Sequence, residues 1–269
     1  MTIFFLSDYH VHTRHSFDSQ ADMFDVCRSA MQQGMTEICF TEHFAVNPKL
    51  PTYGHMSFAD YFDNITACRE ACSSQLTIRV GIELCEPHLM MDEYADELRD
   101  LPLDMILGSV HNMNEKTLRT FLKENEHTGV DVYEAYFLEV LNLVRHADID
   151  IIAHLDLLKR YAHGSVGHYS FAAYAELLET VLKTAISRGI GIEINTSGIR
   201  GGVGSPFPSP EVLRLYKQLG GELLTIGTDS HKVEDTGADL KEAYALAKQC
   251  GFHYVFTYAN RKPMAVKLD

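Results

Sequence analysis

The sequence predicts an α/β domain whose parallel strands close into a barrel with helices outside. Short, continuously apolar runs alternate with segments of helical period, and strands apolar along their whole length are strands covered on both faces. Seven or eight such units fit into 269 residues, which favours a closed barrel over an open sheet. No G-x-G-x-x-G follows the first strand, so the dinucleotide-binding arrangement loses ground.

The elements follow in order. Strand one covers 3–9, and a helix over 20–33 ends at Gly34. Strand two is 37–41, a helix runs over 58–72, and strand three is 77–84. A helix at 90–101 leads to strand four at 104–109, and one at 129–146 leads to strand five at 150–154. The helix 169–188 ends at Gly189 before strand six at 191–195. Pro210 suits the first turn of a helix at 209–219, which precedes strand seven at 223–227. A helix at 236–250 and a last strand at 253–257 complete the pattern. No linker or repeat divides the chain, so 1–269 reads as a single domain. The irregular stretches 45–57, 112–128, 159–168 and 197–208 all follow strands and are candidate substrate loops.

Composition narrows the function. The charge of −14 and the lack of a Lys/Arg run argue against nucleic acid as a partner. A small anionic substrate remains compatible, because bound cations reverse the local field. No apolar stretch is long enough for a membrane span, so no membrane partner is expected. Residues 1–8 lack the basic region and cleavage site of a signal peptide, so the expected location is cytoplasmic. Cys27, Cys39, Cys68, Cys72, Cys85 and Cys250 read accordingly as reduced, mostly buried thiols. The sequence leaves the oligomeric state open.

The chemistry lies at the strand ends. Strand one ends in Asp8-Tyr9-His10-Val11-His12-Thr13, strand two in Glu42-His43, and strand three in Glu83. Strands four and five end in His111 and His154, strand six carries Glu193 and Asn195, and strand seven ends in Thr228-Asp229-Ser230-His231. In a parallel barrel all these ends open on one face, where active sites sit. One histidine at a strand end is commonly just hydrogen-bonded; six strands delivering His, Asp or Glu to one mouth point to metal. Side chains two apart on a strand share a face, so His10 and His12 can grip one cation. Imidazoles and carboxylates without thiolates suit Zn, Mn or Fe at a catalytic position. The ligand candidates exceed what one ion needs, and adjacent metals clamp the attacking and leaving oxygens in phosphoester hydrolysis.

These residues resemble the PHP (polymerase and histidinol phosphatase) family. The matching pattern is Asp8-x-His10-x-His12-Thr13, Glu42-His43, Glu83, His111, His154 and Asp229-x-His231, in family order along the whole chain. Length and ending look most like the stand-alone histidinol-phosphatase branch. The resemblance implies a distorted (β/α)7 TIM-like barrel and three divalent metal ions. It implies that His10, His12, Glu83 and Asp229 bind the first, and that Glu83 bridges to a second held by His111 and His154. His43, His231 and Asp18 would hold the third; some relatives carry His where this chain has Asp18.

The resemblance also implies an activity, hydrolysis of L-histidinol phosphate to L-histidinol and phosphate in histidine biosynthesis, by in-line attack of a metal-bridging hydroxide. Asp229 would accept the water's proton, and either His231 or a metal-bound water would protonate the leaving oxygen; the sequence does not separate the two. Arg160 and Arg200 lie in mouth loops, where a guanidinium can fork onto phosphate. Glu115 can meet a cationic substrate, His15 stands near the first motif, and Asn195 is a donor at the mouth. Glu193 can orient a ligand or a substrate amine. Competing readings are a PHP phosphoesterase acting on nucleotides or single-stranded oligonucleotides, a non-catalytic metal-holding module, and an amidohydrolase of a related barrel.

Overall fold

In the computed structural model, residues 5–72 and 75–268 are described. Ile3 and Phe4, read as the start of strand one, lie outside them. The elements are β1 (Ser7–Val11), α1 (Met23–Gln32), β2 (Glu37–Phe44), α2 (Phe58–Cys72), β3 (Thr77–Cys85), α3 (Met91–Leu98) and β4 (Met105–Ser109). A hairpin of β5 (Asn112–Met113) and β6 (Lys116–Thr117) leads into α4 (Leu118–Asn125) and α5 (Val132–His146). Then come β7 (Ile151–Ile152), α6 (Leu158–Ala162), α7 (Phe171–Ser187), β8 (Gly191–Asn195), α8 (Pro210–Gln218) and β9 (Leu224–Gly227). The described chain closes with α9 (Leu240–Gln249), β10 (Tyr254–Ala259) and β11 (Lys262–Lys267).

Seven strands form one sheet in the order β1-β2-β3-β4-β7-β8-β9, every pair parallel. The ends of the sheet meet. Asp229 N donates to His10 O at 2.7 Å and His12 N to Ser230 O at 2.9 Å, which joins β9 to β1. Asp8 reinforces the seam: its carboxylate accepts from Thr228 N at 2.9 Å and Thr228 Oγ1 at 2.6 Å. The barrel has the seven parallel strands that the sequence led us to expect. Gly227 permits the close approach there, since a Cβ at that position would stand 2.3 Å from His10 Cβ.

The last strand departs from expectation. Residues 254–259 do not add to the barrel; β10 pairs antiparallel with β11. The hairpin turn covers the barrel's N-terminal end instead. Arg261 pairs with Asp148 and Asp150, and Asn260 N donates to Asp104. Tyr258 packs with Tyr9, Cys39, Met105, Leu107, Ile151 and Ala153. The loop expected at 112–128 contains the β5–β6 hairpin and α4, and the one at 159–168 begins with most of α6. All six cysteines are free and buried. No helix among the described residues is long and apolar enough to cross a membrane.

Candidate metal centre

The C-terminal ends of the strands bring nine expected ligands together. His10 and His12 follow one another on the same side of the β1 exit, with ring centroids 5.0 Å apart. Their Nε2 atoms lie 3.1 and 3.4 Å from Glu83 Oε2, and 3.7 and 3.4 Å from Asp229 Oδ1. The other oxygen of Glu83 faces His154 Nε2 at 2.9 Å and His111 Nε2 at 3.3 Å. Glu83 thus stands between two groups. In a third, Asp18 Oδ2 is 3.6 Å from His43 Nε2 and 3.4 Å from His231 Nε2.

These atoms fit a cation better than they fit each other. His111 Nε2 and His154 Nε2 face one another at 3.2 Å. His12 Nε2 is buried with no hydrogen-bond partner, and so is His43 Nδ1, which lies 3.0 Å from Glu83 Oε2. A tetrahedral ion with bonds of about 2.0–2.1 Å sets its ligand atoms about 3.3 Å apart, close to the separations above. The three groups therefore suit divalent cations with nitrogen and oxygen ligands.

Hydrogen bonding on the far side of the rings orients them. His10 Nδ1 donates to Glu193 Oε2 at 2.9 Å, so its Nε2 keeps a lone pair for the cluster. His111 Nδ1 donates to Ser109 Oγ at 3.1 Å, because that hydroxyl gives its own proton to Leu84 O. His231 Nδ1 donates to Asp229 O at 3.1 Å. Glu193 is fully buried and also accepts from His154 N at 2.6 Å and Asn195 Nδ2 at 2.9 Å. Its place is under the ligands, not against substrate. The backbone bends to present two of them: His154 (φ 26°) and Asp229 (φ 53°) adopt left-handed conformations that cost energy and recur at functional sites.

Charge is concentrated accordingly. Burial pushes the Glu83 carboxyl up, but His10, His111 and His43 outweigh it and hold it well below the usual range. Asp229 is likewise lowered against burial, by His10, His12, His231 and Arg160. Burial, with His154 and His43 nearby, brings His111 down to about 3. Burial raises the neighbouring Cys85 thiol to about 11, so it stays protonated near neutrality.

A mouth of about 380 Å³ opens over the cluster. Asp18, His43, His111, Asp229 and His231 line it, with Arg160. Arg160 Nη2 is 3.2 Å from Asp229 Oδ2 and also bonds Ser197 Oγ; its guanidinium lies over the Phe207 ring.

The other expected substrate contacts are placed differently. Arg200 donates to the carbonyls of Thr228 (2.5 Å) and Asp229 (3.1 Å), so it braces the strand-seven exit and does not line the mouth. Asn195 is buried and accepts from Ser197 N and Oγ while donating to Glu193. His15 meets Asn64 Oδ1 at 3.1 Å and lines a separate cleft with Arg14 and His55. Glu115 is exposed and paired with Lys49 at 2.8 Å beside the mouth-lining Thr117 and Asn112.

Sequence reading missed Ser16, Ser197, Arg119 and Tyr161. The last two line the mouth, with the Arg119 guanidinium 5.5 Å from the Tyr161 ring centre. Arg119 had a detectable signal: Leu118, Phe121 and Leu122 carry the helical apolar period of α4.

Residues 8–197 match the PHP domain family. The chain belongs to the PHP domain family. The match ends before Asp229 and His231, whose place beside the other ligand candidates rests on the distances given above. A probable histidinol-phosphatase of Clostridium acetobutylicum is 31% identical, over 93% of this chain and 95% of that protein. A histidinol-phosphatase of Lactococcus lactis is 27% identical, over 95% of each. The crystal structure of a histidinol phosphate phosphatase from Lactococcus lactis, complexed with zinc, L-histidinol and phosphate, superposes with a TM-score of 0.83 at 26% identity. That likeness covers 96% of this PHP chain and 98% of the other.

Proposed function

We propose that this PHP protein, as one barrel domain spanning 1–269, is a metal-dependent histidinol-phosphatase that hydrolyses L-histidinol phosphate to L-histidinol and phosphate. One observation carries the reading: two ligand groups share the carboxylate of Glu83 and a third, Asp18-His43-His231, stands beside them, beneath a mouth where Arg160 stands against Asp229. Full-length relatives named histidinol-phosphatase support the choice of substrate. We assign three divalent cations, Zn, Mn or Fe, to the groups His10-His12-Glu83-Asp229, Glu83-His111-His154 and Asp18-His43-His231. Bound there, such cations supply Lewis acidity that activates water and neutralises charge on the phosphoryl oxygens.

The chain's own groups do the rest. Arg160, held by Asp229 and Ser197 with its guanidinium part-exposed in the mouth, binds the phosphate and orients it for in-line displacement. Asp229 takes the proton leaving the attacking water; lowered as it is, it gives that proton up to water in the mouth. Asp229 O holds the His231 Nδ1–H, so His231 Nε2 keeps its lone pair for the cation of the Asp18–His43 group and has no proton to give; the leaving oxygen takes its proton from water in the mouth. At the hairpin turn, Glu115 exchanges Lys49 for the substrate's cationic amine. Arg200 and Asn195 serve substrate indirectly, by bracing Asp229 and Ser197.

Phosphate release is to be measured from histidinol phosphate, from nucleoside monophosphates and from a short single-stranded oligonucleotide. Preferred turnover of histidinol phosphate is expected. Degradation of the oligonucleotide with histidinol phosphate untouched would transfer the protein to the nucleotide-directed reading.

A further inference from the structure

One buried hydroxyl beneath the mouth touches ligands of two cation groups. Ser16 has no exposed surface, and nor do Glu42 and His12. Ser16 Oγ lies 2.6 Å from Glu42 Oε2, 3.0 Å from His12 Nδ1 and 3.0 Å from His43 N. An ionised carboxylate only accepts, so the single Ser16 proton goes to Glu42. Both lone pairs of Ser16 then face donors: the His43 backbone N–H, and a proton that must sit on His12 Nδ1. That tautomer leaves a lone pair on His12 Nε2, the buried atom with no hydrogen-bond partner that faces Glu83 and Asp229.

Glu42 is itself held by neutral donors. Thr13 N approaches both its oxygens, at 3.1 and 2.9 Å, and Thr13 Oγ1 donates at 2.6 Å. Its charge is therefore projected through Ser16 onto the His12 ring, as a carboxylate–hydroxyl–imidazole chain. Glu193, Ser109 and the Asp229 carbonyl do comparable service for His10, His111 and His231 respectively. Ser16 differs in joining His12, on the β1 side, to His43 on β2.

We propose that Ser16, backed by Glu42, is a positioning residue that fixes the His12 tautomer and the His43 backbone together. It thereby supports cation binding at His10-His12-Glu83-Asp229 and at Asp18-His43-His231, and leaves Glu83-His111-His154 untouched. The inference rests on the metal-dependent reading above.

Two variants test it, Ser16→Ala and Glu42→Gln, the second keeping side-chain volume while turning one acceptor oxygen into a donor. Zinc is titrated into the metal-free proteins against a buffered chelator, and the His12 ring is followed by long-range proton–nitrogen correlation. Loss of an orienting partner of this kind weakens metal binding about ten- to a hundredfold. The expected result is that weakening at part of the zinc complement, one component keeping wild-type affinity, with loss of the His12 Nδ1–H signal. In Glu42→Gln the amide can donate to Ser16 and free the Ser16 proton to face His12, so the same result is expected without a cavity. If Ser16→Ala does not fold, Glu42→Gln decides. Wild-type protein that takes up no zinc would overturn the metal reading itself. Wild type that loads zinc, with variants that load it equally and keep the His12 signal, would overturn this inference alone.

Discussion

Replacing Glu193 with Gln changes one atom and reverses one hydrogen bond. Glu193 Oε1 accepts from His154 N at 2.6 Å and Asn195 Nδ2 at 2.9 Å, while Oε2 accepts from His10 Nδ1 at 2.9 Å. A glutamine must keep its oxygen on the two fixed donors, which turns its NH2 toward His10 Nδ1–H. Donor then faces donor. Relief requires His10 to move its proton to Nε2, the atom 3.1 Å from Glu83 Oε2 that a cation needs bare. A hydrogen bond to a buried charged group contributes about 1.5–3 kcal/mol, so zinc affinity should fall about ten- to a hundredfold. Zinc competition with a coloured chelator measures this, and the melting temperature of metal-free protein checks that folding is intact. Wild-type zinc affinity in a folded Glu193→Gln protein would refute the argument that Glu193 sets the His10 tautomer.

Other perturbations separate the remaining parts. Chelator treatment should abolish phosphatase activity, with recovery on adding Zn, Mn or Fe; full turnover by metal-free protein in the standard assay would exclude metal catalysis. Arg160→Ala should lower kcat/KM for histidinol phosphate about ten- to a hundredfold, the cost of a charge-assisted phosphate contact, with little change in melting temperature. Unchanged kinetics would remove Arg160 from the site. At Gly227 an added Cβ meets His10 Cβ at 2.3 Å and His10 N at 3.0 Å, both fixed in the β1 backbone. Gly227→Ala should therefore cost about 1–3 kcal/mol of stability in a denaturant titration and lower zinc content, and a wild-type transition midpoint would contradict the close seam.

The barrel and the convergence of its strand-end residues were legible because both depend on strand periodicity. Apolar runs such as 77–84 and 191–195 could only be covered strands, and the chemistry-bearing residues sat at their ends. Helix starts were read early where a cap precedes the helix: Asp22 and Asp131 accept from the first-turn N–H groups of α1 and α5, inside the expected helices at 20–33 and 129–146. The strand expected at 150–154 shortens to Ile151–Ile152, since His154 turns left-handed to face Glu83. The segment 254–259 carries a strand pattern, yet nothing local tells a barrel strand from a hairpin; its partner lies at Lys262–Lys267 and its anchors are Asp104, Asp148 and Asp150. Substrate contacts were the least legible. An arginine after a strand looks the same whether it faces the mouth, as Arg160 does, or is captured by carbonyls, as Arg200 is. Ser16 carries no signal at all until its neighbours are in place.

The most direct test is a zinc- and phosphate-soaked crystal measured on both sides of the zinc absorption edge. Three anomalous peaks are predicted: among His10, His12, Glu83 and Asp229; among Glu83, His111 and His154; and among Asp18, His43 and His231. Phosphate should lie between the peaks and Arg160. Zinc found only at surface sites, with these imidazoles and carboxylates holding none, would contradict the account.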